Sequence, residues 1–231
     1  MSIKSEIATS YTDSFYKQMA VGAVESAREI VPIILDLFPH INSVIDLGCG
    51  PGAWLAEFKK LGKEITGIDF GEGVSQNLMF SPQYYIKKDL STAIELNQKF
   101  DLCLSLEVAE HLPEQCADIF ITNLVNLSDL IIFSAAMPGQ GGTNHINLQY
   151  PEFWIKLFYK HDYICRDILR GIIWENKKVR VWYRQNILIF IKKSSRHLIA
   201  QAESMAKFNL YGLPLIHPEL FILKINRLKR K

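Results

Sequence analysis

The segment Asp46-Leu47-Gly48-Cys49-Gly50-Pro51-Gly52 constrains what this chain can fold into more than any other. It follows a short β-branched run over residues 43–47 and precedes a helical pattern over residues 53–61, which Gly62 stops. Three glycines at a strand-to-helix turn let backbone N–H groups approach a ligand closely, because no Cβ stands in the way. A second strand over residues 65–69 ends in Asp69, twenty-three residues after Asp46. A carboxylate at that place accepts hydrogen bonds from the two hydroxyls of a ribose. The expected ligand therefore carries a nucleoside.

The rest of the chain repeats the same alternation. Short apolar runs at residues 84–87, 100–106 (FDLCLSL), 130–135, 163–169 and 186–192 read as strands. Helical patterns cover residues 114–126 and begin again at Pro151, a residue well tolerated in the first turn. The order predicts an α/β, Rossmann-like fold with a seven-stranded, mostly parallel sheet. Residues 1–40 are expected to form a helical cap, with Ile30, Ile33, Ile34, Leu37 and Phe38 along one face. The core domain spans residues 41–193, and residues 194–231 form a helical extension ending in the basic run 227–231. That run reads first as a solvated end, and second as a contact for an anionic membrane or phosphate.

A net charge of +2, with 48% apolar and 22% charged residues, describes an ordinary folded domain without a broad nucleic-acid footprint. The four cysteines, at 49, 103, 116 and 165, form no CxxC pair, which argues against a zinc site or disulfide framework and fits a reducing cytoplasm. The start, MSIKSEIATSY, lacks the apolar core of a secretion signal, and no apolar run approaches membrane-spanning length. A soluble, cytoplasmic protein is expected.

The spacing Gly48-x-Gly50-x-x-Ala53 also matches a dinucleotide fingerprint in its G/A form. Asp46 argues against that ligand, since a buried carboxylate beside a pyrophosphate is both repelled and desolvated. The pattern DLGCGPG resembles the first motif of class I S-adenosylmethionine (SAM)-dependent methyltransferases, and GIDF their acidic second strand end. Against the α-ammonium of SAM, Asp46 would be neutralised. The resemblance implies cofactor contacts at Asp46, Gly48, Gly50, Gly52, Asp69 and Leu106, with Asp89 and Leu90 at the adenine amino group and Phe70 against the adenine face. Asp89 reads equally as a turn or helix-capping residue.

The fourth strand runs into Glu107-Val108-Ala109-Glu110-His111-Leu112-Pro113, and His145 follows the fifth. Ligands of open α/β sheets bind beyond the carboxyl ends of the strands, and these two strands are neighbours in the family's sheet order. Glu107, Glu110, His111 and His145 are thus the candidate catalytic residues. They offer oxygen and nitrogen ligands for Mg²⁺ or Mn²⁺, as in metal-assisted O-methyltransferases acting on small-RNA 3′ ends, which the ExxEH…H pattern resembles. A related EH pattern occurs in ubiquinone-pathway O-methyltransferases. The same residues also fit two metal-free readings: a neutral histidine acting as general base, or a glutamate that fixes backbone amides.

YTDSFY, FSAAMPGQGGTNHINLQYPEFW and WYRQNILIF resemble one bacterial group of methyltransferase-domain proteins, over roughly residues 11–192. The group implies a sugar or another small polar hydroxyl substrate. Gln140 and Asn147, beside Asn144 and Gln149, give the glycine loop hydrogen-bonding amides suited to such a ligand, or else serve the loop's own backbone. Trp182 and Arg184 are expected on the terminal strand, stacking on a sugar or packing the sheet edge. Tyr11, Phe15 and Tyr16 are candidates for a lid. The rival expectations are an RNA 2′-O-methyltransferase, a SAM-binding partner module without catalysis and, last, an NAD-dependent oxidoreductase.

Overall fold

The computed structural model describes residues 13–71, 73–204 and 212–229, with side chains from residue 22 onward. Tyr11 and the side chains of Phe15 and Tyr16, expected as a lid, lie outside the described residues. Seven strands form one sheet in the order β3-β2-β1-β4-β5-β7-β6. They are β1 (Ser43–Leu47), β2 (Glu64–Asp69), β3 (Tyr85–Lys87), β4 (Leu102–Leu106), β5 (Leu130–Ser134), β6 (Tyr163–Arg166) and β7 (Leu188–Lys192). All pairings are parallel except those of β7, which runs antiparallel to β5 and β6. The expected mostly parallel, seven-stranded sheet is therefore present.

Both faces of the sheet are covered, so its central strands are apolar throughout rather than alternating. β4 and β5 are buried at every position. On one face, Val44, Leu102, Leu104, Ile132 and Ile189 pack with α1 (Asp13–Leu37) and α2 (Ala53–Lys60). On the other, Ile45, Cys103, Ile131, Phe133 and Phe190 pack with α3 (Ala117–Leu127) and α4 (Pro151–Lys160). α1 is a single helix, and its Ala27, Ile30, Val31, Ile34 and Leu37 belong to the same core as the sheet.

Two expected elements differ. The sixth strand stops at Arg166, and residues from Leu169 to Ile173 form the short helix α5. Here Asp167 and Arg170, both buried, pair side chain to side chain, and Arg170 also donates to the carbonyls of Gln185 and Leu213. Satisfying that buried guanidinium needs a turn that a continued strand would not supply. The seventh strand begins at Leu188, and Val181–Asn186 form helix α6. Trp182 and Arg184 are accordingly helical rather than on a strand. The C-terminal part contributes α7 (Arg196–Ser204) and α8 (Pro218–Leu228). Among the described residues, no helix is long and apolar enough to cross a membrane.

Candidate active site

The glycine turn between β1 and α2 is shaped by contacts that only glycine allows. Gly48 has φ +85°, and a Cβ there would lie 2.4 Å from Val108 Cγ2. Gly52, at the start of α2, also has φ +85°, and its Cβ would meet Phe80 Cε1 at 2.0 Å. The Gly48 and Cys49 N–H groups donate to the Ile68 carbonyl, which ties the turn to β2. Asp69 completes the fixture: one carboxylate oxygen accepts from Gly50 N at 2.8 Å and the other from Gly71 N at 2.7 Å. Burial pushes its carboxyl up, and these N–H donors push it back down.

Asp46 sits within β1, 2% exposed, between Gly67 of β2 and Leu104 of β4. Burial, and then the neighbouring Asp69, push its carboxyl up to about 7. A cation placed against it reverses that shift. Such a site is matched to an ammonium group and mismatched to a pyrophosphate.

The other expected cofactor residues line the carboxyl ends of β2, β3 and β4. Phe70 is half exposed, with Lys87 Nζ 5.8 Å from its ring centroid. Leu90 and Leu106 are buried. Asp89 accepts from the backbone N–H and hydroxyl of Ser91, a turn-forming role.

β4 ends in a strained corner, with Glu107 at φ +58°. Its N–H donates to Ser134 at the end of β5. The half-buried carboxylate accepts from Asn186 Nδ2 at 3.1 Å and Gln140 Nε2 at 3.0 Å. Burial raises its pKa and those amides oppose the rise. Gln140 is occupied further, as its carbonyl oxygen accepts from Asn186 and Gln185. This expected substrate residue therefore braces Glu107.

Three of the four expected catalytic residues converge. Ligand-type atoms of Glu110, His111 and His145 all lie within 4.8 Å of one another, and Glu107 stands outside that set. The two imidazoles meet edge to face with centroids 4.8 Å apart. His145 Nε2 is 4.0 Å from Glu110 Oε1. His111 Nδ1 lies 3.2 Å from the Asn144 carbonyl, which can only accept, so Nδ1 carries the hydrogen and Nε2 the basic lone pair. Burial, then His145, hold His111 down at about 4, so it is neutral at pH 7. Burial also lowers His145.

Glu110 is fully buried, and neither carboxylate oxygen has a hydrogen-bond partner among the described residues. Burial, then Glu107, hold its carboxyl well above the usual carboxylate range. Its backbone carbonyl accepts from Ile146 and Asn147, which binds the 137–147 loop to the β4 corner. Asn147, expected to touch substrate, is 3% exposed and accepts from Gln149.

Trp182 is half buried, with the Arg180 guanidinium 6.0 Å from its ring centroid. Arg184 is 3% exposed and donates to the carbonyls of Val179 and Trp174 and to Glu219. Its charge is committed to holding the C-terminal segment. Reading the sequence overlooked Val108, Asn186 and Gln185. The last two stand in the WYRQN stretch, where the amides follow the residues that drew attention.

Comparison with known proteins agrees with this geometry. Residues 22–123 match a family model described as a methyltransferase domain. A ubiquinone biosynthesis O-methyltransferase of Proteus mirabilis (strain HI4320) is 27% identical over 147 residues, covering 60% of this chain and 56% of that relative. The chain thus spans about half the length of this relative. Among solved structures, magnesium protoporphyrin IX methyltransferase from Synechocystis PCC 6803 with bound SAH is similar at TM-score 0.58 and 19% identity, covering 82% of this chain and 92% of the other. The sugar N-methyltransferase KedS8 from Streptoalloteichus is similar at TM-score 0.58 and 11% identity, over 78% and 92% of the two chains. The solved structures share the fold, and the family match over residues 22–123, taken with the glycine turn, Asp46, Asp69 and the sheet order, identifies that stretch as a class I SAM-dependent methyltransferase domain.

Proposed function

We propose that the protein transfers the SAM methyl group to a hydroxyl of a small polar or sugar-like acceptor, with His111 and His145 as the candidate bases. The observation that carries this reading is adjacency. Val108 packs directly on Gly48, so the histidine pair begins one 3₁₀ turn away from the cofactor turn. A SAM molecule seated on Asp46 and Asp69 would present its methyl group towards that corner.

The acceptor oxygen attacks the methyl carbon, the carbon–sulfur bond breaks, and S-adenosylhomocysteine leaves as the second product. The hydroxyl proton goes to a neutral imidazole. The protein's main contribution is alignment of the two reactants. The O-methyltransferase relative supports a hydroxyl acceptor, and the sugar N-methyltransferase neighbour supports only the sugar-like character of the acceptor. The test is S-adenosylhomocysteine release on incubation of SAM with separate pools of hydroxylated and amine acceptors. Release with hydroxylated acceptors alone is expected; release with amines alone would contradict the reading.

One observation favours a metal-assisted variant of the same reaction. Glu110 carries two buried oxygens without partners, and His145 Nδ1 is likewise buried and unpartnered among the described residues. Glu110, His111 and His145 would hold a divalent ion, with a mixed nitrogen and oxygen set that suits Mn²⁺ better than Mg²⁺. When bound, such an ion makes an acceptor hydroxyl more acidic. Unchanged activity of chelator-treated protein on adding back Mn²⁺ or Mg²⁺ would exclude this variant.

A further inference from the structure

α8 is attached to the protein chiefly at its first turn. The buried His217 caps it by accepting from Glu219 N, and His217 N donates to Gln185 Oε1 at 2.8 Å. Glu219, the only acid in α8, is engaged by Arg184. Beyond that turn the helix buries no residue completely. Phe221, Ile225 and Leu228 fall at the spacing i, i+4, i+7, and Ile222 adjoins them on the same side. An amphipathic helix normally turns such a face inward. Here Phe221, Ile222 and Leu228 are 55%, 56% and 64% exposed, and Ile225 between them is half-buried.

The charges around that strip are all of one sign. Lys224, Arg227 and Lys229 are exposed and form no ion pair among the described residues. Arg230 and Lys231 follow in the sequence, giving five cations within residues 224–231. An exposed apolar strip edged by unpaired lysine and arginine is the composition of a helix that lies in a membrane interface. Two copies of α8 packed face to face would instead crowd like charges together.

We propose that α8 docks the protein on an anionic lipid surface, its apolar strip entering the acyl boundary and its cations meeting headgroup phosphates. The inference is independent of the methyl-transfer reaction. It has a geometric consequence for the site, since Lys224 Nζ lies 4.0 Å from where a Cβ on Gly141 would stand. A docked α8 would thus place the 137–147 loop, which carries His145, near the surface.

The test is co-sedimentation of the full chain with vesicles of phosphatidylglycerol and phosphatidylcholine, compared with phosphatidylcholine alone. At least tenfold greater retention on the anionic vesicles is expected, falling severalfold between 0.1 and 0.5 M salt, roughly as screening over a few ångströms requires. Two double variants, Phe221→Glu with Leu228→Glu and Lys224→Glu with Arg227→Glu, should each lose that retention about tenfold with an unchanged melting temperature. A Phe221→Trp variant should shift its emission to the blue on anionic vesicles only. Equal retention on both vesicle types, or retention that survives both double variants, would overturn the proposal. So would a vesicle-free dimer that Phe221→Glu with Leu228→Glu dissociates, since a second copy would then own the face.

Discussion

The two ends of the candidate active site are built on opposite principles. At the cofactor end, the turn between β1 and α2 is finished before any ligand arrives: Asp69 joins Gly50 to Gly71, and the Ile68 carbonyl holds Gly48 and Cys49. At the acceptor end, Glu110 and His145 present buried polar atoms that no described residue satisfies. Buried polar groups are costly to leave unpaired, so structures retain them where a ligand or reaction uses them. The first end is a fixture and the second an open demand.

The largest predicted effect probes the open end. His111→Ala should lower kcat by roughly 1,000-fold, within the range of lost general-base catalysis, and change SAM affinity less than twofold. Acceptor turnover alongside SAM titration checks it. Comparable losses in both quantities would mean that the two ends are not separable.

The next effect belongs to Asp46, whose buried carboxyl is pushed up by burial and by the neighbouring Asp69. Asp46 titrates near 7 when folded against an ordinary 3.8, so between those values the folded state holds more protons than the unfolded one. Stability from this group is therefore lost as pH rises across that window, by up to about 4 kcal/mol at pH 8. Asp46→Asn should raise the melting temperature at pH 8 and leave it nearly unchanged at pH 4. Thermal melts of both proteins across pH measure this directly.

Smaller effects test rigidity. Gly52→Val meets both a positive φ and the Phe80 ring, and should cost about 3 kcal/mol in denaturant unfolding. Asn186→Leu removes one of the amides that brace Glu107 and should cost about 1–3 kcal/mol, with no effect on SAM affinity.

The same contrast explains what was readable in the sequence. The cofactor end is local: its glycines, Asp46 and Asp69 lie within 24 residues and follow strand and turn rules, so they stand where expected. The acceptor end gathers residues 107–111, 140–147 and 184–186, and its hydrogen bonds span up to 79 positions. Spacing suggested that Glu107, Glu110, His111 and His145 meet, and the last three do. It carried no information that Gln140 and Asn186 would claim Glu107, because that depends on how β7 returns beside β5. Trp182 and Arg184 looked like strand residues because WYRQNILIF is rich in aromatic and β-branched side chains. The buried partners of Arg184 favour a helix there instead.

We infer that the fixed end is made for SAM, with Asp46 as the counter-charge to its ammonium. Calorimetric titration of SAM and of NAD into the unaltered protein and into Asp46→Asn tests it most directly. SAM binding without NAD binding is expected, with a loss of about 100-fold in SAM affinity on removing the buried carboxylate, a cost of roughly 3 kcal/mol. NAD binding as tight as SAM, or SAM affinity unchanged in Asp46→Asn, would contradict it.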